Sequence, residues 1–97
     1  MPALGGFGGN RKTVATATTA EALVATSVRA NWVTITAETD NTGIIVVADS
    51  TALATLATRI GHPLAAGQSK TFLVHNLQEV YLDTTVNGDG VTFVYGL

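Results

Sequence analysis

Large apolar residues recur at every second position in short runs, and Gly, Asn, Asp and Pro separate the runs. A period of two puts successive side chains on opposite faces of an extended chain, so each run predicts a half-buried β-strand. Residues 31–38 carry the clearest pattern, with Trp32, Thr34 and Thr36 opposing Val33, Ile35 and Ala37. Residues 13–19, 69–74, 78–84 and 91–95 read the same way. Residues 43–48 are a continuous β-branched run, which predicts a strand covered on both faces. Residues 21–28 are contested, because Glu, Ala and Leu are good helix formers. Strand is preferred there, since Thr26, Ser27 and Val28 follow without a cap. Asp40-Asn41-Thr42-Gly43 is a turn by residue type. Asn87-Gly88-Asp89-Gly90 is the strongest hairpin signal in the chain.

Residues 49–67 read as one long connection crossing between two sheets. One or two helical turns fit inside it, because Leu53, Leu56, Ala57 and Ile60 have near-helical spacing after an Asp49-Ser50 cap. The result is an all-β chain of seven or eight short antiparallel strands with one long crossover, a β-sandwich or jelly-roll-like domain over residues 13–97. Its expected core is Val33, Ile35, Ile45, Val47, Phe72, Val74, Val80, Leu82, Val91 and Phe93. Ahead of it, residues 1–12 form a Gly-rich segment in which Gly5, Gly6, Gly8 and Gly9 oppose regular structure. This predicts a flexible N-terminal arm. Leu4 and Phe7 are apolar residues stranded in it, and Arg11 and Lys12 close it with positive charge.

Length and composition narrow the classes. Ninety-seven residues suffice for one domain, and 46% hydrophobic content excludes charge-driven disorder. Charged residues are only 12%, about half the usual share. A net charge of −2 argues against nucleic acid as a partner. No apolar run is long enough for a membrane helix, and the first ten residues lack the basic-then-apolar order of a secretory signal. The absence of cysteine removes disulfide staples and fits folding in a reducing cytoplasm. A surface of Thr, Ala and Gly with so few charges suggests burial against other subunits; a monomer solvated by hydroxyls is the alternative.

Catalytic chemistry finds little support. His62 and His75 have no metal-ligand spacing around them, and no cysteine assists them. Gly67-Gln68-Ser69 is a fragment of a nucleophile elbow, with Thr71 where the last glycine belongs. It is also a poor phosphate loop, with Gln68 in the lysine position. Gly6-Phe7-Gly8 lacks the third glycine and preceding strand of a dinucleotide site. Asp89 sits in a loop too poor in acids for a good calcium site, so a turn role is expected. Trp32 opens the best strand as a core or interface anchor. The expectation is a protein that is not an enzyme and needs no cofactor or metal.

One order of signals is familiar. Gly61-His62-Pro63-Leu64-Ala65-Ala66-Gly67-Gln68-Ser69 follows the pattern Gly-x-Pro-Leu-x-x-Gly-x-Ser, and Asn76-Leu77-Gln78-Glu79-Val80-Tyr81 follows Asn-Leu-x-x-Val-Tyr. With the Asn41–Gly43 turn before them and the Gly-Asp-Gly turn after, about two thirds of the chain resembles small structural proteins of tailed bacteriophages, of the head decoration or cement type. The resemblance implies a virion protein on the outer capsid surface, made in the host cytoplasm, that binds and stabilises the major capsid protein shell. It also implies copies of the chain as partners, a trimer before a dimer. The alternative is a receptor- or glycan-binding module of a tail or baseplate. The arm lies outside the resemblance, and its expected role rests on physics alone. Leu4 and Phe7 would fill pockets on a neighbour, while Arg11 and Lys12 would pair with acidic groups beside them. The competing view is a leader with no docking role.

Overall fold

A computed structural model of the chain describes residues 7–50 and 61–97. Among them are eight strands: β1 (Phe7–Thr13), β2 (Glu21–Ala22), β3 (Trp32–Ala37), β4 (Ile45–Ala48), β5 (His62–Leu64), β6 (Ser69–Leu73), β7 (Tyr81–Thr84) and β8 (Gly90–Gly96). A 3-10 turn spans Leu77–Glu79. The expected all-β class holds. The strands form two four-stranded antiparallel sheets, ordered β1-β8-β3-β6 and β2-β7-β4-β5. β1 pairs with β8, β2 with β7, β3 with β6 and β4 with β5. β3–β8 and β4–β7 pairings complete the sheets.

The two sheets share one core. Val33, Ile35 and Ala37 of β3 and Val91 and Phe93 of β8 meet Ile45 and Val47 of β4 and Leu82 of β7. Eight of the ten expected core residues are buried, and Phe72 and Val74 pack against the core while partly exposed. Phe72 and Val74 keep some exposure because β6 is an edge strand. Val14, Leu23, Ala30, Leu64 and Leu77 complete the core from loops and short elements that alternation alone does not mark.

Several expectations are corrected. Residues 7–12 are not a free arm but most of β1, in register from Phe7↔Gly96 to Thr13↔Gly90. Alternating backbone bonds to β8 offset the chain entropy that the glycines bring. Gly8 is required there for another reason, because a Cβ at Gly8 would lie 2.8 Å from the Tyr95 ring. Residues 13–19 turn instead of continuing as a strand. Val14 dives into the core, its N–H donating to Asp89 O while its carbonyl accepts from Gly88 N–H. The strand expected at 21–28 shrinks to the two residues of β2, and Leu23, whose N–H still donates to Val80 O, is buried in the core. The connection expected at 49–67 contains β5, because His62–Leu64 pairs with Val47–Ile45. The helical turns considered at 53–60 lie outside the described residues.

The hairpin expected at Asn87–Gly90 is a crossing instead. β7 belongs to one sheet and β8 to the other, so this turn joins the sheets over the core. Its chemistry still fits a tight turn, since Gly88 has φ +87°. The 40–43 turn crosses between sheets beside it, and side chains tie the two together. Asp89 accepts from the N–H of Gly43 at 2.7 Å and of Thr42 at 3.3 Å. Asn41 exchanges two hydrogen bonds with the backbone of Gly90. A further crossing, from β5 to β6, turns at Gly67 with φ +82°.

Candidate functional site

Alternation assigns each face of the β1-β8-β3-β6 sheet. Val33, Ile35 and Phe93 point inward, so Trp32, Thr34 and Thr36 of β3 point outward. Register then places Leu73, Thr71 and Ser69 of β6 and Val94 and Thr92 of β8 beside them on the outer face. Its centre is a hydroxyl ladder: Thr34 and Thr71 share a hydrogen bond of 2.7 Å, as do Thr36 and Ser69. Cross-strand hydroxyl pairs of this kind contribute about 0.2–1 kcal/mol each.

One end of that face is apolar. Leu73 is 89% exposed beside Trp32, with Val94 also exposed on this face. The half-buried Trp32 ring lies over Gly96, where a Cβ would approach its Cζ2 to 2.9 Å. Trp32 is therefore not a core residue; its even position in β3 turns it to the outer face. Sequence alternation contained that assignment. The exposure of Leu73 was hidden, because nothing local says that 69–73 is an edge strand.

The opposite end of the face is charged. Arg11 reaches from β1 to Glu38 as a bidentate pair, its Nε bonding Oε2 and its Nη2 bonding Oε1 at 3.0 Å. Arg11 is 61% exposed while Glu38 is only 12% exposed. The bond to Glu38 raises the Arg11 pKa further above its usual value. Lys12 points to the other face and pairs with Glu21 of β2 at 2.8 Å, bridging the two sheets. The bond from Lys12 pulls Glu21 below the usual carboxylate range, aided by Ala15 N–H and opposed by burial. At the other lateral opening, His62 of β5 meets Phe72 of β6 edge-on, with ring centroids 6.0 Å apart.

Of the four residues expected to dock a partner, Arg11 and Lys12 thus diverge to opposite faces, each with an internal carboxylate. Phe7 opens β1 opposite Gly96. Leu4 and the Phe7 side chain lie outside the described residues.

A cavity of about 320 Å³ opens between the ends of β4 and β6, floored by Val47, Phe72, Val74 and Val80. Asp49, His75 and Glu79 stand at its rim. Glu79 is committed to the chain: its Oε1 accepts from the N–H of His75 and of Asn76, forming a capping box with Asn76. A carboxylate so held orders the turn into β7. Asp89, once weighed for calcium, has both oxygens turned to the amides of Thr42 and Gly43. Among the described residues no cluster of three His, Cys, Asp or Glu forms a metal-binding group. No described helix is long and apolar enough to cross a membrane. No protein-family model, curated protein or solved structure matches the chain.

Proposed function

We propose that the protein is a bacteriophage capsid decoration protein, a jelly-roll β-sandwich that binds the assembled major capsid protein and stabilises the shell. The observation that carries the reading is the outer face of the β1-β8-β3-β6 sheet, a threonine ladder ending in Trp32, Leu73 and Val94. Such a face suits burial against a flat protein surface. Its hydroxyls are already paired with each other, and little charge must be desolvated. The strand order supports the jelly roll. Strands one to four pair with eight to five as in a single long hairpin ribbon, and rolling that ribbon brings β3 beside β8 and β4 beside β7. That winding is common in capsid proteins.

The mechanism is linkage. A protein that binds the assembled shell and not its free subunits stabilises the shell by mass action, and a repeating lattice multiplies a modest contact energy. Leu4 and Phe7, ahead of and at the start of β1, with Arg11 on this face, are the proposed docking element, while Lys12 on the opposite face is held by Glu21. Major capsid protein and further copies of the chain are its partners.

Particles purified from the genome that encodes this chain test the reading by gel densitometry. Hundreds of copies per particle are expected, on the outer surface and removable without opening the shell. A few to tens of copies would instead identify a tail or baseplate module, and absence from particles would refute both.

A further inference from the structure

The open edge of β6 sets out a self-complementary strand. Ala37 N–H donates to Gln68 O, and Val74 N–H donates to Asn31 O. Even-numbered positions around β6 therefore direct their backbone groups to β3. In an antiparallel ladder the direction alternates residue by residue, so Ser69, Thr71 and Leu73 direct theirs away from the sheet. Among the described residues, none of these amides or carbonyls has a partner. The edge contains no proline and no bulge, and the Thr34–Thr71 and Thr36–Ser69 bonds hold it in line.

The other edges are defended. β5 is three residues long and contains Pro63, and β2 is two residues long. Short strands and proline both block addition of a further strand. β1 is longer, but the Arg11 amide at its edge is occupied by the side chain of Asn10 at 2.8 Å.

The geometry points to a second copy of this chain as the occupant, its β6 antiparallel to the first and related by a two-fold axis at Thr71. Parity allows only registers that set odd residues opposite odd ones, because only odd-numbered residues present free groups, and of these the one centred on Thr71 pairs the whole of Ser69–Leu73. Thr71 then faces Thr71 of the second copy, and Ser69 faces its Leu73. Lys70 faces Phe72 of the second copy, so its stem covers a ring and the two lysines are kept apart. Pairing β6 with a neighbour's β1 is less favourable in both full registers. One sets Lys70 opposite Lys12; the other sets Gly8 and Gly9 opposite Phe72 and Thr71, where no side chain supports the pair. The two-fold product is a continuous eight-stranded sheet that also shields the exposed Leu73. It involves no capsid, so it stands or falls separately from the decoration reading.

Cysteine placement reads the register directly, since the chain has no native cysteine. Directly opposed residues in a hydrogen-bonded pair lie about 5.5 Å apart, within disulfide reach. Ser69 and its copy are four residues out of register, about 14 Å apart. T71C is expected to form covalent dimers under mild oxidation, S69C to dimerise without a covalent link, and S69C with L73C to cross-link again. T71P removes an outward N–H that the monomer does not use, so circular dichroism stays unchanged while dimer affinity falls about 100-fold by sedimentation. A trimer in solution, a monomer up to millimolar concentration, or S69C cross-linking as fast as T71C would each overturn the proposal. If T71P does not fold, the cysteine series still decides.

Discussion

Asp89 holds the most by position among single residues. It is buried, and it closes two inter-sheet turns by accepting amides that no strand serves. Asp89→Ala strands both amides, which costs about 1–3 kcal/mol for unsatisfied buried groups. In a domain of this size that corresponds to a fall in melting temperature of several degrees, measurable by thermal unfolding. Thr18 shows the opposite case. It is the one described non-glycine residue with positive φ, at 67°, and a β-branched side chain is poorly suited to that region. Thr18→Asn keeps a polar side chain and tolerates the left-handed conformation. It is expected to stabilise the protein by about 0.5–1 kcal/mol, seen as a higher denaturant midpoint with an unchanged slope.

At the scale of elements, the ends of the two sheets are tied by few contacts, and the Lys12–Glu21 pair is one that pH can switch. Folding lowers the Glu21 pKa, so the folded state holds its proton less tightly than the unfolded chain. The pair therefore contributes fully above the ordinary carboxylate range. The contribution fades as pH falls through that range toward the lowered folded value. Melting temperatures of the native chain and Glu21→Gln are expected to differ at neutral pH and to converge in acid. The gap is small, within about 1 kcal/mol, because both groups retain contact with water. Equal separation at every pH would show that the bond to Lys12 does not set the shift.

For the whole molecule, β1 decides what an N-terminal truncation means. Removing residues 2–10 takes away the Phe7–Asn10 part of β1 and bares the edge of β8. That variant is expected to be clearly less stable or to aggregate, whatever its docking role. Removing residues 2–6 leaves all of β1 in place. It is expected to melt near the native temperature, so any loss of binding to the proposed capsid partner reports docking. A large loss of stability on removing 2–6 would contradict this division.

Much of the fold was legible because alternation is a local property. Val33, Ile35, Val91 and Phe93 reveal their shared inward side by spacing alone, and Gly67 and Gly88 mark turns that need a positive φ. Local pattern also placed Trp32 and Thr34 on one face, which is the face of the proposed site. What it does not contain is the partner of each strand. The Asn87–Gly90 turn has the same composition whether it closes a hairpin or crosses the core, and only the pairing of β8 with β1 and β3 decides. The same long-range pairing ordered Gly8 and Gly9, gave Arg11 and Lys12 their separate carboxylates, and left β6 at an edge. The sequence by itself determined which side chains seek the interior. The tertiary structure decided which backbone groups were left without a neighbour, because hydrogen-bond pairing is settled between residues distant in the chain.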